Sequence, residues 1–121
     1  MRIAVLDSDH SQAEMICQVL TAAGHACHEF QSGKEMLGQL RKDSCDMLIL
    51  DWHVSDLDGA EVLRRAREKL APKAPVLFMT NSSGEDDVVA GMTAGADDYM
   101  IKPLRRSELT LRTQALLRVA Y

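Results

Sequence analysis

Short apolar runs alternate with amphipathic stretches five times along the chain, and each apolar run has the length of a β-strand. The predicted strands are Ile3–Leu6, Ala26–Phe30, Asp46–Asp51, Val76–Met79 and Asp98–Ile101. The third and fourth runs are apolar at nearly every position instead of alternating with polar residues. This pattern indicates strands that are buried on both faces, as in a parallel sheet covered by helices.

The amphipathic stretches predict a helix after each strand. Ser11 and Glu14 have the spacing of a capping box, in which the hydroxyl and the carboxylate satisfy backbone N–H groups at the start of the first helix. Gly24 is expected to end that helix. The other predicted helices are Lys34–Lys42, Gly59–Leu70, Glu85–Ala94 and Ser107–Arg118. Five strand–helix units in 121 residues predict one α/β domain, a doubly wound five-stranded parallel sheet with five helices.

Composition narrows the class of protein. Hydrophobic residues make up 46% and charged residues 26% of the chain, which excludes a disordered or low-complexity protein. No apolar run approaches the roughly 20 residues that span a bilayer, and no secretory signal follows Met1, so we expect a cytoplasmic protein without a membrane partner. Three cysteines without CxxC or zinc-site spacing argue against a disulfide framework and a metal knuckle. Cys17 and Cys27 are therefore predicted to be small core residues.

Charge is distributed unevenly along a chain whose net charge is −4. Residues 102–121 carry five basic side chains and one acidic one, so the acidic excess lies in the first 101 residues. Such a domain would repel the phosphates of nucleic acid. We therefore expect contact with DNA only through a further output domain, while the basic last helix is either a solvated face or a docking face.

Polar side chains follow the predicted strands at their carboxyl ends, where ligands bind in doubly wound sheets. They are Asp7, Ser8 and Asp9 after the first strand, Asp51 at the end of the third, Thr80 after the fourth, and Lys102 and Pro103 after the fifth. Two carboxylates about 5 Å apart repel each other by roughly 3 kcal/mol at an effective dielectric constant of about 20. Such a cluster therefore needs a neutralising cation or a lysine.

The residue types at these strand ends suit magnesium and phosphoryl chemistry. Mg²⁺ prefers oxygen ligands and binds proteins through one or two carboxylates together with phosphate oxygens. The ammonium group of Lys102 and the hydroxyl of Thr80 suit a phosphoryl oxyanion. One of the carboxylates could itself form an aspartyl-phosphate, although a single aspartate such as Asp9 could equally be a helix cap.

Two segments carry a resemblance to a known family. Leu48–Gly59 is similar to the phosphoacceptor strand and following loop of the receiver domains of two-component response regulators, with Asp51 at the acceptor position and Gly59 at the position of the loop glycine. Gly95–Pro103 resembles the fifth-strand signature of the same family. The resemblance runs along the whole chain and implies a flavodoxin-like sheet with the strand order 2-1-3-4-5.

The resemblance also implies roles for individual residues. Asp51 would accept a phosphoryl group from a sensor histidine kinase, and Lys102 would pair with the phosphoryl oxygens. Mg²⁺ would be held by the carboxylates of Asp7 and Asp51 and by the backbone carbonyl of His53. The domain would be a regulatory module that assists its own phosphorylation and dephosphorylation, and not an enzyme.

A switch between two states is the implied consequence. Thr80 would turn towards the phosphoryl group and Tyr99 would fill the vacated space, which would remodel the face formed by the fourth helix, the fifth strand and the fifth helix. The last helix, with Glu108 and Arg112, is similar to that of receivers joined to winged-helix transcription factors. This implies an output in transcription, a homodimer through the same face, and a longer regulator of which residues 1–121 are the amino-terminal receiver.

Ser8 departs from the family pattern, in which a second acid follows the first strand. A hydroxyl at this position is either a simple turn residue or the sign of a weaker Mg²⁺ site. Asp9 could substitute for the missing acid through water or a shifted backbone. Ser8 also leaves open a pseudo-receiver that binds a partner without being phosphorylated.

A phosphatase is the third interpretation, since Asp7-Ser8-Asp9 also resembles the Asp-x-Asp motif of haloacid-dehalogenase-type phosphatases. Asp7 would then be the nucleophile and Asp9 the acid/base. In that family, however, the later acidic pair follows the lysine in sequence, whereas Asp97-Asp98 precede Lys102. The loop glycine after the third strand would also have no explanation.

Overall fold

The sheet predicted from the five apolar runs is present in the part of the chain that the computed structural model describes, residues 1–81 and 85–121. Its strands are β1 (Arg2–Leu6), β2 (Ala26–Phe30), β3 (Met47–Asp51), β4 (Val76–Thr80) and β5 (Asp98–Ile101). Every pair of neighbouring strands is parallel, and the order across the sheet is β2-β1-β3-β4-β5. The predicted parallel sheet and its strand order are therefore confirmed.

One helix follows each strand, as predicted. The helices are α1 (His10–Ala22), α2 (Gly33–Leu40), α3 (Gly59–Arg67), α4 (Glu85–Thr93) and α5 (Arg106–Ala120). α3 ends before the predicted Leu70, because the backbone N–H groups of Lys69 and Leu70 both donate to the carbonyl oxygen of Ala66 and the chain turns there. Within the described ranges, no helix is long and apolar enough to cross a membrane.

The start of α1 differs from the prediction. Asp9 is the N-cap, with φ −84° and ψ 106°, and its Oδ1 accepts hydrogen bonds from the backbone N–H groups of Ser11 at 3.0 Å and Gln12 at 3.4 Å. The capping box of Ser11 and Glu14 was therefore a wrong prediction. Asp9 prevails because its carboxylate also accepts a hydrogen bond from the Ser11 hydroxyl, which leaves Ser11 inside the first turn as a donor.

Two apolar layers, one on each face of the sheet, explain why the central strands are apolar throughout. The layer beneath α2 and α3 includes Leu6, Leu48, Leu50, Phe78, Met36, Leu37, Val62 and Leu63. The layer beneath α1 and α5 includes Ile3, Val5, Met47, Ile49, Leu77, Met79, Ile16, Leu20 and Leu109. Burial of one such side chain contributes roughly 1.5–3 kcal/mol. The two layers therefore hold the strand ends, and the polar residues that follow them, in place.

Cys17 and Cys27 form a disulfide bond between α1 and the edge strand β2, with their Cα atoms 5.4 Å apart. Both side chains pack against the apolar layer beneath α1 and α5, as predicted, but the expectation that they form no disulfide was wrong. α1 packs directly on β2 and brings the two side chains together, whereas their spacing of 10 residues in sequence carries no such signal. Cys45 keeps a free thiol.

Gly59 allows the loop between β3 and α3 to fold over Trp52. A Cβ atom at this position would lie 2.5 Å from the backbone carbonyl oxygen of Trp52 and 2.7 Å from Cδ2 of its ring. Because real Cβ contacts are not this short, only glycine fits without a shift. The close packing holds the loop that follows Asp51 against the sheet.

Gly59→Ala is expected to destabilise the fold by about 1–3 kcal/mol, because the added methyl group forces Trp52 or the loop to shift. Gly38→Ala is the matched control, since Gly38 lies in α2 and an added Cβ there would meet nothing within 4 Å. Alanine at position 38 should stabilise the protein by up to about 1 kcal/mol. Urea unfolding followed by circular dichroism measures both changes, and equal stabilities of the two variants would contradict the close approach at Gly59.

Candidate functional site

The carboxyl ends of β1, β3, β4 and β5 bring four predicted site residues together. Asp7 directly follows β1, and Asp51 is the last residue of β3. Thr80 is the last residue of β4, and Lys102 directly follows β5. These ends are level because β1 pairs with β3 and β4 pairs with β5 in register. Asp7, Asp51 and Thr80 are buried, which is unusual for polar side chains and indicates a specialised site.

The ammonium group of Lys102 is shared between two carboxylates. Its Nζ lies 3.0 Å from Oδ2 of Asp7 and 3.4 Å from Oδ2 of Asp51. The backbone N–H of Lys102 donates to the carbonyl oxygen of Thr80 at 2.8 Å, which holds the base of the side chain beside β4. Because only 14% of the Lys102 side chain is exposed, water screens this contact less than it screens a surface ion pair.

Asp7 lies in an environment that disfavours its negative charge. Burial raises the pKa of Asp7 above its ordinary value, since only 1% of the residue is exposed, and the charge of Asp51 acts in the same direction. Hydrogen bonds from the backbone N–H of Asp9, at 2.9 Å, and from Lys102 oppose this shift without cancelling it. Two carboxylates and one ammonium group leave the site with an excess of negative charge.

The donor set fits a hard divalent cation. Asp7 and Asp51 line an open cleft of about 470 Å³, whose other lining residues are Ser8, Asp9, Gln12, Asn81, Lys102 and Pro103. Among the described residues, no group of three or more His, Cys, Asp and Glu side chains forms a metal site by itself. Two carboxylates completed by other oxygens and water suit Mg²⁺, whereas zinc would need more protein ligands.

The side chains of Ser8 and Asp9, which also line the cleft, accept hydrogen bonds from nearby backbone N–H groups. Oγ of Ser8 accepts a hydrogen bond from the backbone N–H of Ser55 at 3.3 Å, which joins the β1–α1 loop to the β3–α3 loop. The carboxylate of Asp9 caps α1. Asp7 and Asp51 are thus the buried acids of the cleft, and the ligand roles of Asp7, Asp51, Ser8, Asp9 and the carbonyl of His53 stay predictions.

Asp56 is a positioning residue that the sequence reasoning missed. Its carboxylate oxygens accept hydrogen bonds from the backbone N–H groups of Gly33 at 2.9 Å and Lys34 at 3.0 Å, at the start of α2. Burial acts to raise the pKa of Asp56, but these amides outweigh it and the pKa is lowered. The contact fastens the loop after Asp51 to a residue 23 positions away, and no local spacing signals it.

His53 connects the loop after Asp51 to two other parts of the fold. Its backbone N–H donates to Oδ1 of Asp51 at 3.2 Å, while the other oxygen of that carboxylate faces Lys102. Its imidazole Nε2 lies 3.0 Å from Oδ2 of Asp87 on α4. The same Asp87 oxygen accepts a hydrogen bond from the hydroxyl of Thr80 at 3.3 Å. Asp87 carried no signal in the sequence, because α4 meets this loop only in the folded chain.

Tyr99 lies in β5 at one end of a row of three aromatic rings. Its ring stacks on Phe78, with centroids 5.8 Å apart and an interplanar angle of 28°. Phe78 in turn contacts Trp52, with centroids 5.1 Å apart. Phe78 is fully buried, whereas Tyr99 is half-buried. The row therefore connects the residue next to Asp51 with a ring at the surface of β5.

The face formed by α4, β5 and α5 combines exposed apolar side chains with paired charges. Arg112 donates to the carboxylate of Asp98 at 2.9 and 3.0 Å and to Glu108 at 3.0 Å. Among the described residues, the exposed large apolar side chains of these three elements are Val89, Met92, Ile101, Leu111 and Val119. Arg112, Asp98 and Glu108 are therefore already paired with one another within one chain.

Comparison with known proteins identifies similar sequences over nearly the whole chain. Residues 3–114 match the response regulator receiver domain family. The response regulator MprA of Mycobacterium avium is 38% identical over 118 residues, which cover 98% of this chain and 51% of that protein. The phosphate regulon transcriptional regulatory protein PhoB of Pseudomonas aeruginosa is 32% identical over 117 residues, which cover 96% of this chain and 51% of that protein. The chain thus spans about half the length of these curated relatives.

The structure is also similar to a solved one. The crystal structure of a putative response regulator from Chloroflexus aurantiacus matches with a TM-score of 0.88 and 33% sequence identity. The match covers 97% of this chain and 97% of that chain. These similarities agree with the resemblance carried by segments 48–59 and 95–103.

Asp7→Asn is expected to stabilise the protein at neutral pH, because burial disfavours the charge of Asp7. Folding raises the pKa of Asp7, so ionisation of this carboxyl favours the unfolded state. The resulting loss of folding stability is present above the folded-state pKa. Asparagine removes the buried charge and keeps an oxygen for the N–H of Asp9. Thermal unfolding should show the gain shrinking as the pH falls through the raised folded-state pKa of Asp7 towards the ordinary value of an aspartate.

The control for this variant is Asp58→Asn. Asp58 is an exposed N-cap whose side chain makes no capping hydrogen bond, so its replacement should change stability little at any pH. A loss of stability in Asp7→Asn at neutral pH would show that the ion pair with Lys102 outweighs the burial of the charge.

Proposed function

Because the chain belongs to the response regulator receiver domain family, we propose that Asp51 accepts a phosphoryl group from a sensor histidine kinase. The observation that supports this most directly is the ammonium group of Lys102, which lies 3.4 Å from Oδ2 of Asp51 beside an open cleft. A phosphoryl group on that oxygen would meet a positive charge. A receiver domain is a regulatory module, and the aspartate is the group whose state changes.

In the proposed reaction, a carboxylate oxygen of Asp51 attacks the phosphorus atom of a phosphohistidine on the kinase. An O–P bond forms and the N–P bond breaks, and the imidazole nitrogen leaves with the electron pair and takes up a proton. Lys102 pairs with the phosphoryl oxygens, while the N–H of His53 orients the other oxygen of Asp51. Mg²⁺, when bound, supplies further neutralisation of charge on the phosphoryl oxygens.

We propose that Mg²⁺ is held by the carboxylates of Asp7 and Asp51 and by the backbone carbonyl of His53. The support is the excess of negative charge at two buried carboxylates and the raised pKa of Asp7. A divalent cation would offset that charge and leave Lys102 to face the phosphoryl group. With Ser8 in place of a second acid on the first loop, the affinity for the metal would be low.

Thr80 and Tyr99 are proposed to carry the signal from the site to the surface. Thr80 ends β4 beside Asp51, and Tyr99 stacks on Phe78 of the same strand. A hydroxyl drawn towards the phosphoryl group would leave space for the Tyr99 ring. The face formed by α4, β5 and α5 would change shape as a result.

The proposed output is transcription, through a winged-helix DNA-binding domain outside this chain. The matched region covers about half of MprA and of PhoB, and PhoB is a transcriptional regulatory protein by its name. We propose that two copies associate in the cytoplasm through the face formed by α4, β5 and α5. Association would cover the exposed apolar side chains of that face.

Ser8 favours a second candidate function, a pseudo-receiver that binds its partner without phosphorylation. Its hydroxyl contacts Ser55 and supplies no carboxylate to the cleft. A phosphatase with Asp7 as the nucleophile has less support. The carboxylate of Asp9, which would have to serve as the acid/base, is engaged in capping α1. One experiment separates all three functions.

Incubation with acetyl phosphate and Mg²⁺ is expected to add one phosphoryl group to Asp51, as detected by mass spectrometry of the protein and its peptides. Asp51→Asn should abolish the adduct, because an amide does not attack phosphorus. Asp7→Asn should keep the adduct on Asp51, since Asp7 only helps to neutralise charge.

The reverse pattern, an adduct that survives Asp51→Asn and is lost in Asp7→Asn, would favour the phosphatase. The absence of an adduct with both acetyl phosphate and a phosphorylated histidine kinase would identify a pseudo-receiver. Either result would contradict the proposed role of Asp51.

Ser8→Asp is expected to tighten Mg²⁺ binding about tenfold, because a further carboxylate would line the same cleft. Trp52 directly follows Asp51, so a Mg²⁺ titration of its fluorescence measures the affinity. Ser44→Asp is the matched control, since it adds the same charge at an exposed position before β3, at the opposite end of the sheet. Unchanged affinity in Ser8→Asp would show that Ser8 is a simple turn residue.

A further inference from the structure

Asp87 is an acidic side chain of α4 that contacts two residues beside the proposed phosphoryl site. Its Oδ2 lies 3.0 Å from Nε2 of His53 and accepts a hydrogen bond from the Thr80 hydroxyl at 3.3 Å. His53 comes two residues after Asp51, and Thr80 is the last residue of β4. The proposed phosphoryl-transfer chemistry makes no use of Asp87.

We infer that Asp87 is a positioning residue whose carboxylate holds the Thr80 hydroxyl and the His53 ring in the unphosphorylated protein. A phosphoryl group on Asp51 then has to compete with this internal carboxylate. The inference rests on the proposed function, since it takes Asp51 as the acceptor. Asp87 thereby lowers the strength with which the site binds a phosphoryl group.

The competition follows from the hydrogen-bonding capacity of Thr80. A hydroxyl has one proton and donates it to one acceptor at a time. A phosphoryl group carries about −1.5 to −2 charges and is the stronger acceptor, but the bond to the Asp87 carboxylate is charge-assisted as well. When the Thr80 hydroxyl changes from Asp87 to a phosphoryl group, binding of that group therefore gains only the difference in free energy between the two hydrogen bonds. Because Thr80 is fully buried, water does not compete for its hydroxyl in either hydrogen bond.

The contact with His53 extends the same restraint to the loop after Asp51. Asp87 lies in the first turn of α4, so one carboxylate oxygen connects this helix both to the β3–α3 loop and to the end of β4. The Asp87 side chain is 28% exposed, so solvent screens the contact only in part. Release of Asp87 on phosphorylation would free the start of α4, which belongs to the output face.

Beryllofluoride, a phosphoryl analogue that binds to an aspartate carboxylate, tests the competition in the full chain at saturating Mg²⁺. Asp87→Ala is expected to bind it about fivefold more tightly than Asp86→Ala, because the hydrogen bond that opposes binding is gone. Trp52 fluorescence measures the affinity. Asp86→Ala is the matched control, since Asp86 is exposed, has the same charge and lies in the same helical turn.

Three readouts distinguish positioning from a general effect of charge or helix stability. In a background with both Thr80→Ala and His53→Ala, Asp87→Ala should change the affinity less than about twofold, because its partners are absent. Asp87→Asn keeps an oxygen for the Thr80 hydroxyl and should bind almost as weakly as wild type. The Mg²⁺ affinity without beryllofluoride should be equal in Asp87→Ala and Asp86→Ala.

Equal beryllofluoride affinities of Asp87→Ala and Asp86→Ala would overturn the inference and leave the proposed function in place. A full gain from Asp87→Ala in the doubly substituted background would also overturn it, since simple charge repulsion would then explain the effect. Wild-type protein that binds no beryllofluoride and forms no phosphoryl adduct would instead refute the proposed function, and the inference with it.

Discussion

The ammonium group of Lys102, shared between two carboxylates, is the interaction on which the functional end of this sheet depends. Asp7 and Asp51 are buried at the carboxyl ends of neighbouring strands, and their mutual repulsion would oppose the packing of β1 beside β3 without a cation between them. Lys102 reaches both because its backbone is hydrogen-bonded to Thr80 at the end of β4. One lysine does not balance two carboxylates, and the remaining charge makes the site receptive to a divalent cation.

The loops around these charges are held by contacts between segments that are distant in sequence. Asp56 binds the start of α2, and Gly59 lets the same loop close over Trp52. Both contacts fix the backbone after Asp51 without touching its carboxylate. Asp87 adds a contact from α4 that a phosphoryl group would disturb. The contacts of Asp56 and Gly59 thus shape the loop, while the contact of Asp87 connects the site to α4.

The sequence predicted the sheet and four central residues of the site for one physical reason. A strand buried on both faces has to be apolar along its length, so the point at which an apolar run stops marks the end of a strand. The polar residues found at those points are Asp7, Asp51, Thr80 and Lys102. Parallel strands place such ends at one edge of the sheet, which is why these residues meet although they are far apart in the chain.

The sequence by itself therefore determined the α/β class, the strand order through its family resemblance, and the residues at the strand ends. Only the tertiary structure decided that Cys17 meets Cys27, that Asp9 caps α1, and that Asp87 lies against His53 and Thr80. Local pattern reports which face of an element is buried, because burial and periodicity are properties of that element alone. The local pattern does not predict the distance between side chains on different elements, because that distance depends on how the helices pack on the sheet. It also does not predict the backbone angles at a helix cap.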